Sequence, residues 1–309
     1  MSFNSSLNAN VVKTALDAVF MQKFSGEKYP GLATAESGIV FKQDTADSSA
    51  VIMELFSGSG AWDDFAEEQN VPEGQPRIGN TKTFSVVNYG KSIDIPKNFF
   101  DDQKHGSYEK MVENFALRAR TTRDKNAFAL FRNGFTSTTT ADGGYLFADS
   151  HTSLGGYTVD NKLTAALSES SLNDAIVMLG EMKSQDGEID GYLPRTLLVP
   201  MKLFKTACEI VDSELRSGTA NNDMNVYSSK YGIYVATSPY LGAAAGGSDT
   251  AWFLLSDEHS ISRWVRQGVQ TDLVDYKFQR NNNYIYKGAF REVVGAMSYE
   301  GAVGSTGAA

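Results

Sequence analysis

Cysteine occurs once in these 309 residues, at Cys208, and histidine three times, at His105, His151 and His259. A single cysteine excludes an internal disulfide framework and fits a reducing cytoplasm. The histidines are widely separated and have no close cysteine or histidine neighbour in sequence, so the spacings that hold zinc are missing. Long apolar runs are missing too: none approaches the ~20 residues that span a bilayer, and no membrane association is expected. The opening Met1–Leu7 has no positive region leading into an apolar one, so no signal peptide is expected. The glycine-rich stretches Ser57–Gly60 and Gly242–Gly247 lack a following Lys-Ser/Thr, which a phosphate cradle needs. Both read as flexible loops.

Positive charge is also scarce. Lys and Arg number 28 against 37 Asp and Glu, a net charge of -9, with a sequence pI near 4.9. A dedicated nucleic-acid binder carries a basic patch large enough to displace counterions, so this balance argues against one. It suits a surface on which tight adhesion to DNA would be a hindrance, and equally an acidity that serves solubility. Hydrophobic residues at 41% and charged ones at 21% describe an ordinary globular protein. The length allows one large or two modest domains.

Along the chain, Val11, Val12, Ala15, Leu16, Val19 and Phe20 repeat at helical spacing, which predicts a short amphipathic helix. Gly26, Pro30 and Gly31 end it. Such a helix is marginal alone in water and is expected to dock on its own domain or on a neighbour. Between Trp62 and Asp102, a loop rich in Pro72, Gly74, Pro76 and Gly79 precedes two predicted strands, 84–90 and 92–96, bent at Asn88 to Gly90. Weak alternation there suits a projecting hairpin. Tyr108 to Arg132 contains neither glycine nor proline and predicts the longest helix, with Ser107 as N-cap and Asn133, Gly134 as the stop. Its expected stripe is Met111, Phe115, Arg118 with Ala119, Thr122, Asn126 and Ala129, flanked by Val112, Ala116, Phe128 and Phe131. Downstream, Leu172 to Lys183 reads as an amphipathic helix and Thr196 to Val199 as a short strand. A second helix follows in which Phe204, Ala207, Cys208 and Val211 share a face with Met201. Further strands are expected at 232–237, 251–255, 261–265 and 284–299, and a disordered small-residue tail at 301–309.

No catalytic constellation emerges. Asp149, Ser150 and His151 contain the residue types of a triad, but triad members come from separate elements so that their side chains converge. Asp101, Asp102 and His105 have the chemistry of metal ligands, yet acids just before a helix are what capping and the helix dipole favour. Asp63, Asp64, Glu67 and Glu68 form a like-charge cluster that reads as a solvated face or as one meeting a basic partner. Cys208 sits on an apolar face and reads as an inert core residue. No cofactor is expected.

The order of elements resembles Mu-like phage major head subunits. The resemblance rests on Phe99, Phe100, Asp101 and Asp102 with Gly106, Ser107 and Tyr108 before the long helix. It continues in Gly144, Tyr145, Leu146 and Phe147 with His151, in Leu198, Val199 and Pro200, and in Ala289, Phe290 and Arg291. Together these motifs cover most of residues 60 to 300. The resemblance implies an α+β, Hong Kong 97-type capsid fold. Its implied parts are an N-terminal arm (1–61), an extended loop (62–98), a peripheral domain holding the spine helix (99–160) and an axial domain (161–250). Returning strands (251–300) and a flexible tail (301–309) complete it. It further implies hexamers and pentamers of a shell in the virion, assembled in the host cytoplasm around double-stranded DNA that the shell contacts non-specifically. Scaffolding or protease, portal and decoration proteins are its implied partners. A preceding scaffolding segment is not expected, because the arm begins near residue 10. Some shells of this fold join a loop lysine to a neighbour's asparagine; Lys82 and Lys91 lie in the loop, but nothing singles out an asparagine with an activating carboxylate, and no such link is expected.

The expected function is therefore self-assembly, with Trp62, Phe65 and Arg77 in the loop, Phe20 and Phe24 in the arm and Arg118 and Arg123 on the long helix as intersubunit contacts. The rivals are an encapsulin-like compartment enclosing a cargo enzyme, and a hydrolase or metal-dependent enzyme using Asp149 with His151 or Asp101 with His105.

Overall fold

The computed structural model describes residues 5–25, 31–98, 105–213, 225–274 and 283–308. The apolar run Trp252–Leu255 decides the centre of the larger sheet. A strand apolar on both faces must be covered on both, and β10 (Trp252–Ser256) is buried at every position. It lies between β13 (Ala302–Ser305) and β8 (Pro194–Pro200), antiparallel to both. The sheet is completed by β7 (Lys162–Leu163), parallel to β13, and β9 (Tyr234–Ser238), parallel to β8. Helix α3 (Glu169–Gly180) covers one face with Leu172, Ala175, Ile176 and Leu179. Its start is set by a capping box. The Ser171 amide donates to Ser168 Oγ at 3.2 Å, and the Ser168 amide donates to Ser171 Oγ at 2.9 Å. Helix α4 (Phe204–Val211) adds Ala207 and Val211 to the same core.

The other face packs on the C-terminal half of the long helix α2 (His105–Arg132). Phe128 and Phe131 of that helix meet Phe41, and Phe131 meets Phe253 of β10 at 5.2 Å between centroids. Phe147 and Phe135 extend the cluster. Each such aromatic pair contributes roughly 0.5–1.5 kcal/mol beyond the area it buries.

A second, four-stranded sheet runs in the order β1 (Lys42–Thr45), β11 (Ile261–Val274), β12 (Asn283–Ala296), β4 (Val87–Pro96). Helix α1 (Ser5–Ser25) and the N-terminal half of α2 lie against it. Leu16, Phe20 and Phe24 at successive i,i+4 positions meet Phe115, Ile95 and Tyr286. β2 (Ala50–Phe56) and β3 (Ile78–Ser85) form a separate hairpin. Two strands alone are marginal in water. Its stem is held by Phe84, stacked on Trp264 at 4.8 Å.

Three expectations are corrected. The projecting hairpin is 50–56 with 78–85, not 84–90 with 92–96. Asn88 to Gly90 do not turn but continue through β4, because Asn88, Tyr89 and Gly90 pair with Arg291, Phe290 and Ala289. The boundary drawn at 61/62 thus falls within the hairpin tip, 57–77. The tail is not loose: Ala302–Ser305 is a buried central strand, and small residues suit it because a Cβ at Gly304 would lie 2.7 Å from the Phe147 ring. The buried face of α2 is the expected flank, Val112, Ala116, Phe128 and Phe131, together with Phe115. Thr122 and Asn126 face water instead, because Arg123 and Asp124 turn inward to polar partners.

Candidate assembly surface

The tip of the β2–β3 hairpin is where the chain exposes large apolar groups with no cover. Trp62 is 96% exposed and Phe65 50%, with Val71 nearby. Asp63, Asp64, Glu67 and Glu68 are interleaved with them and exposed as well. On the stem, Ile52, Phe56 and Ile78 point outward, while Leu55 and Phe84 point into the cluster around Trp264 and Met297. The stem therefore has one face committed to its own body and one apolar face in water. The base of the tip is tied down: the Arg77 guanidinium donates to the Leu154 carbonyl at 3.0 Å, and the Gly60 amide donates to Asp186 Oδ2 at 3.2 Å. The Asp186 carboxyl is held below its usual range, chiefly by the Ser184 hydroxyl.

Between α2 and the β4–β12 ladder lies a groove of about 290 Å³. Its floor is Gly90, Gly288 and Ala289, whose lack of bulk leaves the space open, and its walls are Phe115 and the stacked Tyr89–Phe290 pair. Lys91 and Arg118 stand exposed at its rim.

The sequence-predicted contact residues divide. Trp62, Phe65, Arg77 and Arg118 are at the surface. Phe20, Phe24 and Arg123 are not available to a neighbour. Phe20 and Phe24 stack on each other at 5.6 Å inside the α1–α2 core, because α1 docks on its own chain. Arg123 donates to Glu36 Oε1 at 2.6 Å and lies 4.4 Å from the Phe24 ring centroid. Behind it, Arg263 and Glu292 form a buried ion pair. Burial pushes the Glu292 carboxyl up, against the pull of Arg263. Such pairs fix geometry more than they add stability.

Asp149 and His151 do not converge. Asp149 pairs with Lys162 at 2.8 Å on the surface, whereas His151 is fully buried, bonded to Asp142 and Asn161 and stacked on Tyr299. Asp101, Asp102 and the His105 side chain lie outside the described residues. Among the described residues no group of three or more His, Cys, Asp or Glu is set to hold a metal, and no helix is long and apolar enough to cross a membrane. Burial and Asp212 push the Cys208 thiol up to about 11. Lys82 reaches the carbonyls of Thr139 and Ala296, and burial lowers its ammonium's pKa. The residues that sequence reasoning misses are those of the groove floor: Gly90 reads as a turn signal, and a groove made by two glycines on different strands has no local signature.

A spine helix laid across two sheets, one tied to an N-terminal helix and the other in a mixed α/β unit, with a projecting hairpin, is the Hong Kong 97-type capsid fold. Solved structures agree. The chain is similar to that of Microbacterium phage Oxtober96, with TM-score 0.53 at 12% identity, covering 91% of this chain and 89% of that one. It is similar to the capsid of cyanophage P-SCSP1u, with TM-score 0.55 at 10% identity, covering 90% and 89%. A virus-like particle from Pyrococcus furiosus gives TM-score 0.55 at 10% identity, covering 94% and 97%. At such identities the likeness is one of fold. No curated protein matches the chain in sequence. A family model described as phage capsid protein matches residues 79–305, and the chain belongs to that family. It is a capsid shell protein of the phage head, located in the virion.

Proposed function

We propose that the chain is the repeated subunit of a Mu-like head. It closes as hexamers and pentamers into an icosahedral shell around double-stranded DNA, and its chemistry is burial of surface rather than catalysis. The observation that carries this reading is the hairpin tip, where Trp62 stands almost wholly in water at the end of an arm braced by its own body. Exposed apolar patches of this kind mark association sites. The motifs around Phe99–Tyr108 and Gly144–His151 support the Mu-like subtype. The reading divides the chain into arm, extended loop, peripheral and axial parts. It takes Trp62, Phe65, Arg77 and Arg118 as contacts between subunits, and scaffolding, protease, portal and decoration proteins as partners. The test is electron microscopy of the recombinant chain after size-exclusion chromatography. Closed shells or rings of five and six subunits are expected; a uniform monomer or dimer overturns the reading.

A further inference from the structure

We propose that Lys82 is a positioning residue of the hairpin. With Asn80 and Arg77 it clips β3 to main-chain carbonyls of its own body, and so fixes the direction in which the tip is presented. This role rests on the assembly reading above, in which the tip is a contact surface, and supplies what aims it.

The clip begins with a register shift. Glu54 pairs with Thr81 and Phe56 with Ile78, so Gly79 and Asn80 together oppose Leu55. A bulge of this kind re-aims the side chains beside it. Arg77, Asn80 and Lys82 thereby reach the body on the side that Phe84 also faces, while Ile78 stays in water. All three donate to main-chain oxygens. Arg77 donates to Leu154 at 3.0 Å and Asn80 to Ala141 at 3.0 Å; Lys82 donates to Thr139 and, at 3.2 Å, to Ala296. The acceptors are themselves held. The Thr140 amide donates to the Gly144 carbonyl and the Ala141 amide to the Met297 carbonyl, each at 2.9 Å, and Asp142 beside them is bonded to His151.

Lys82 serves direction rather than stability. Its ammonium lies 5.1 Å from the Phe84 ring centroid, and among the described residues it forms no ion pair. Burial lowers its pKa, against the pull of Asp142. Holding a charge there costs free energy that an apolar side chain would not. What the charge adds is geometry. Its two acceptors belong to separate segments, the turn at Thr139 and the end of β12, and one ammonium meets both at a single setting of the stem. The apolar wedge of Leu55 and Phe84 holds the stem without directing it, because apolar burial is non-directional. Bonds at Lys82, Asn80 and Arg77, spread over about 15 Å of strand, prevent rotation about that wedge.

Spin labels test this. Glu54→Cys on the outer face of the stem and Lys125→Cys on α2, both exposed, are combined with Cys208→Ser in the full chain. Labelled chains are diluted into unlabelled ones, so that only distances within one chain are read. Lys82→Met is expected to broaden the distance distribution about twofold, as the stem regains orientational freedom. The denaturant midpoint should stay where it is, because relief of the buried charge offsets the lost bonds. Lys82→Arg, whose guanidinium also donates to two carbonyls, should keep the narrow distribution. Particle yield should fall with Lys82→Met and recover with Lys82→Arg. An unchanged distribution in Lys82→Met overturns the clip, and so does broadening accompanied by a lowered midpoint, since the loosened stem is then a by-product of unfolding. Natural particle yield from a broadened Lys82→Met overturns its role in aiming the tip. Absence of shells from the natural chain overturns the assembly reading, whereas the distances still decide the clip.

Discussion

His151 lies between two acceptors: its Nδ1 is 2.7 Å from Asp142 Oδ2 and its Nε2 3.2 Å from Asn161 Oδ1. The amide orientation of Asn161 is settled by its other bonds. Its Nδ2 donates to the Leu146 and Ala302 carbonyls, and its Oδ1 accepts from the Ala148 amide. Both ring nitrogens therefore face a side-chain oxygen. The network clamps the 140–148 turn, the strand β5 (His151–Thr152) and the C-terminal strand β13 into one unit.

Acid stability should depend on Asp142. Burial raises its pKa, but the hydrogen bonds from His151 and Thr140 and the His151 charge outweigh burial and hold it below the ordinary value of 3.8. The unfolded chain then takes up a proton at that carboxyl before the folded one does. Its contribution is complete above about pH 4 and is lost as pH falls through the depressed folded value. Asp142→Asn is expected to cost about 2 kcal/mol at neutral pH and to flatten the acid limb below pH 4 in denaturant titrations. An unchanged acid limb contradicts the assignment.

A second group acts at milder acidity. Burial, with the Lys42 charge, pushes His259 down to about 4 from 6.5, and its Nδ1 accepts from the Ile261 amide at 3.2 Å, which requires an unprotonated nitrogen. The unfolded chain protonates this ring first. Its contribution is therefore full above pH 6.5 and lost progressively toward pH 4, about 3 kcal/mol in all. His259→Gln should remove this slope between pH 6.5 and 4 while leaving the limb below pH 4, a separation that unfolding curves at stepped pH would resolve.

The hairpin stem depends on a missing side chain. A Cβ at Gly295 would lie 2.2 Å from the Phe84 ring, and that ring is wedged against Trp264. Gly295→Ala is expected to cost roughly 1–3 kcal/mol. Hydrogen exchange should then quicken in β3 before it does in β10, and equal protection of β3 in both proteins would refute the wedge.

Arm and tip should respond oppositely to truncation. Phe20→Ala removes a fully buried ring and should lower unfolding free energy by about 3–5 kcal/mol. Trp62→Ala should leave it within about 0.5 kcal/mol while particle yield falls. Denaturant midpoints alongside particle counts decide between them. Destabilisation by the tryptophan change would mean the tip packs on its own chain.

Local patterning carried much of this fold. Uninterrupted helical sequence marked α2, the period of Leu172, Ala175, Ile176 and Leu179 marked α3, and apolar runs marked β8 and β10. These signals are legible because burial on one face imposes a period within a few residues. Phe20 and Phe24 were legible as apolar and helical, but what they pack on was not. Trp62 and Phe65 were legible as loop aromatics beside acids, and Arg77 and Arg118 as cations of the loop and the long helix.

By itself the sequence determined the principal helices, the apolar strands of the larger sheet and a likeness to phage head subunits. Tertiary structure alone decided that β4 runs through Asn88–Gly90 to pair with Phe290, that Ala50–Phe56 supplies the hairpin's other strand, and that Ala302–Ser305 enters the core sheet. The physical reason is range. Helix and strand periods are written into neighbouring residues, whereas strand pairing is chosen by contacts between residues far apart in the chain, as Tyr89 is from Phe290, and a glycine reads as a turn until the strand opposite it is known.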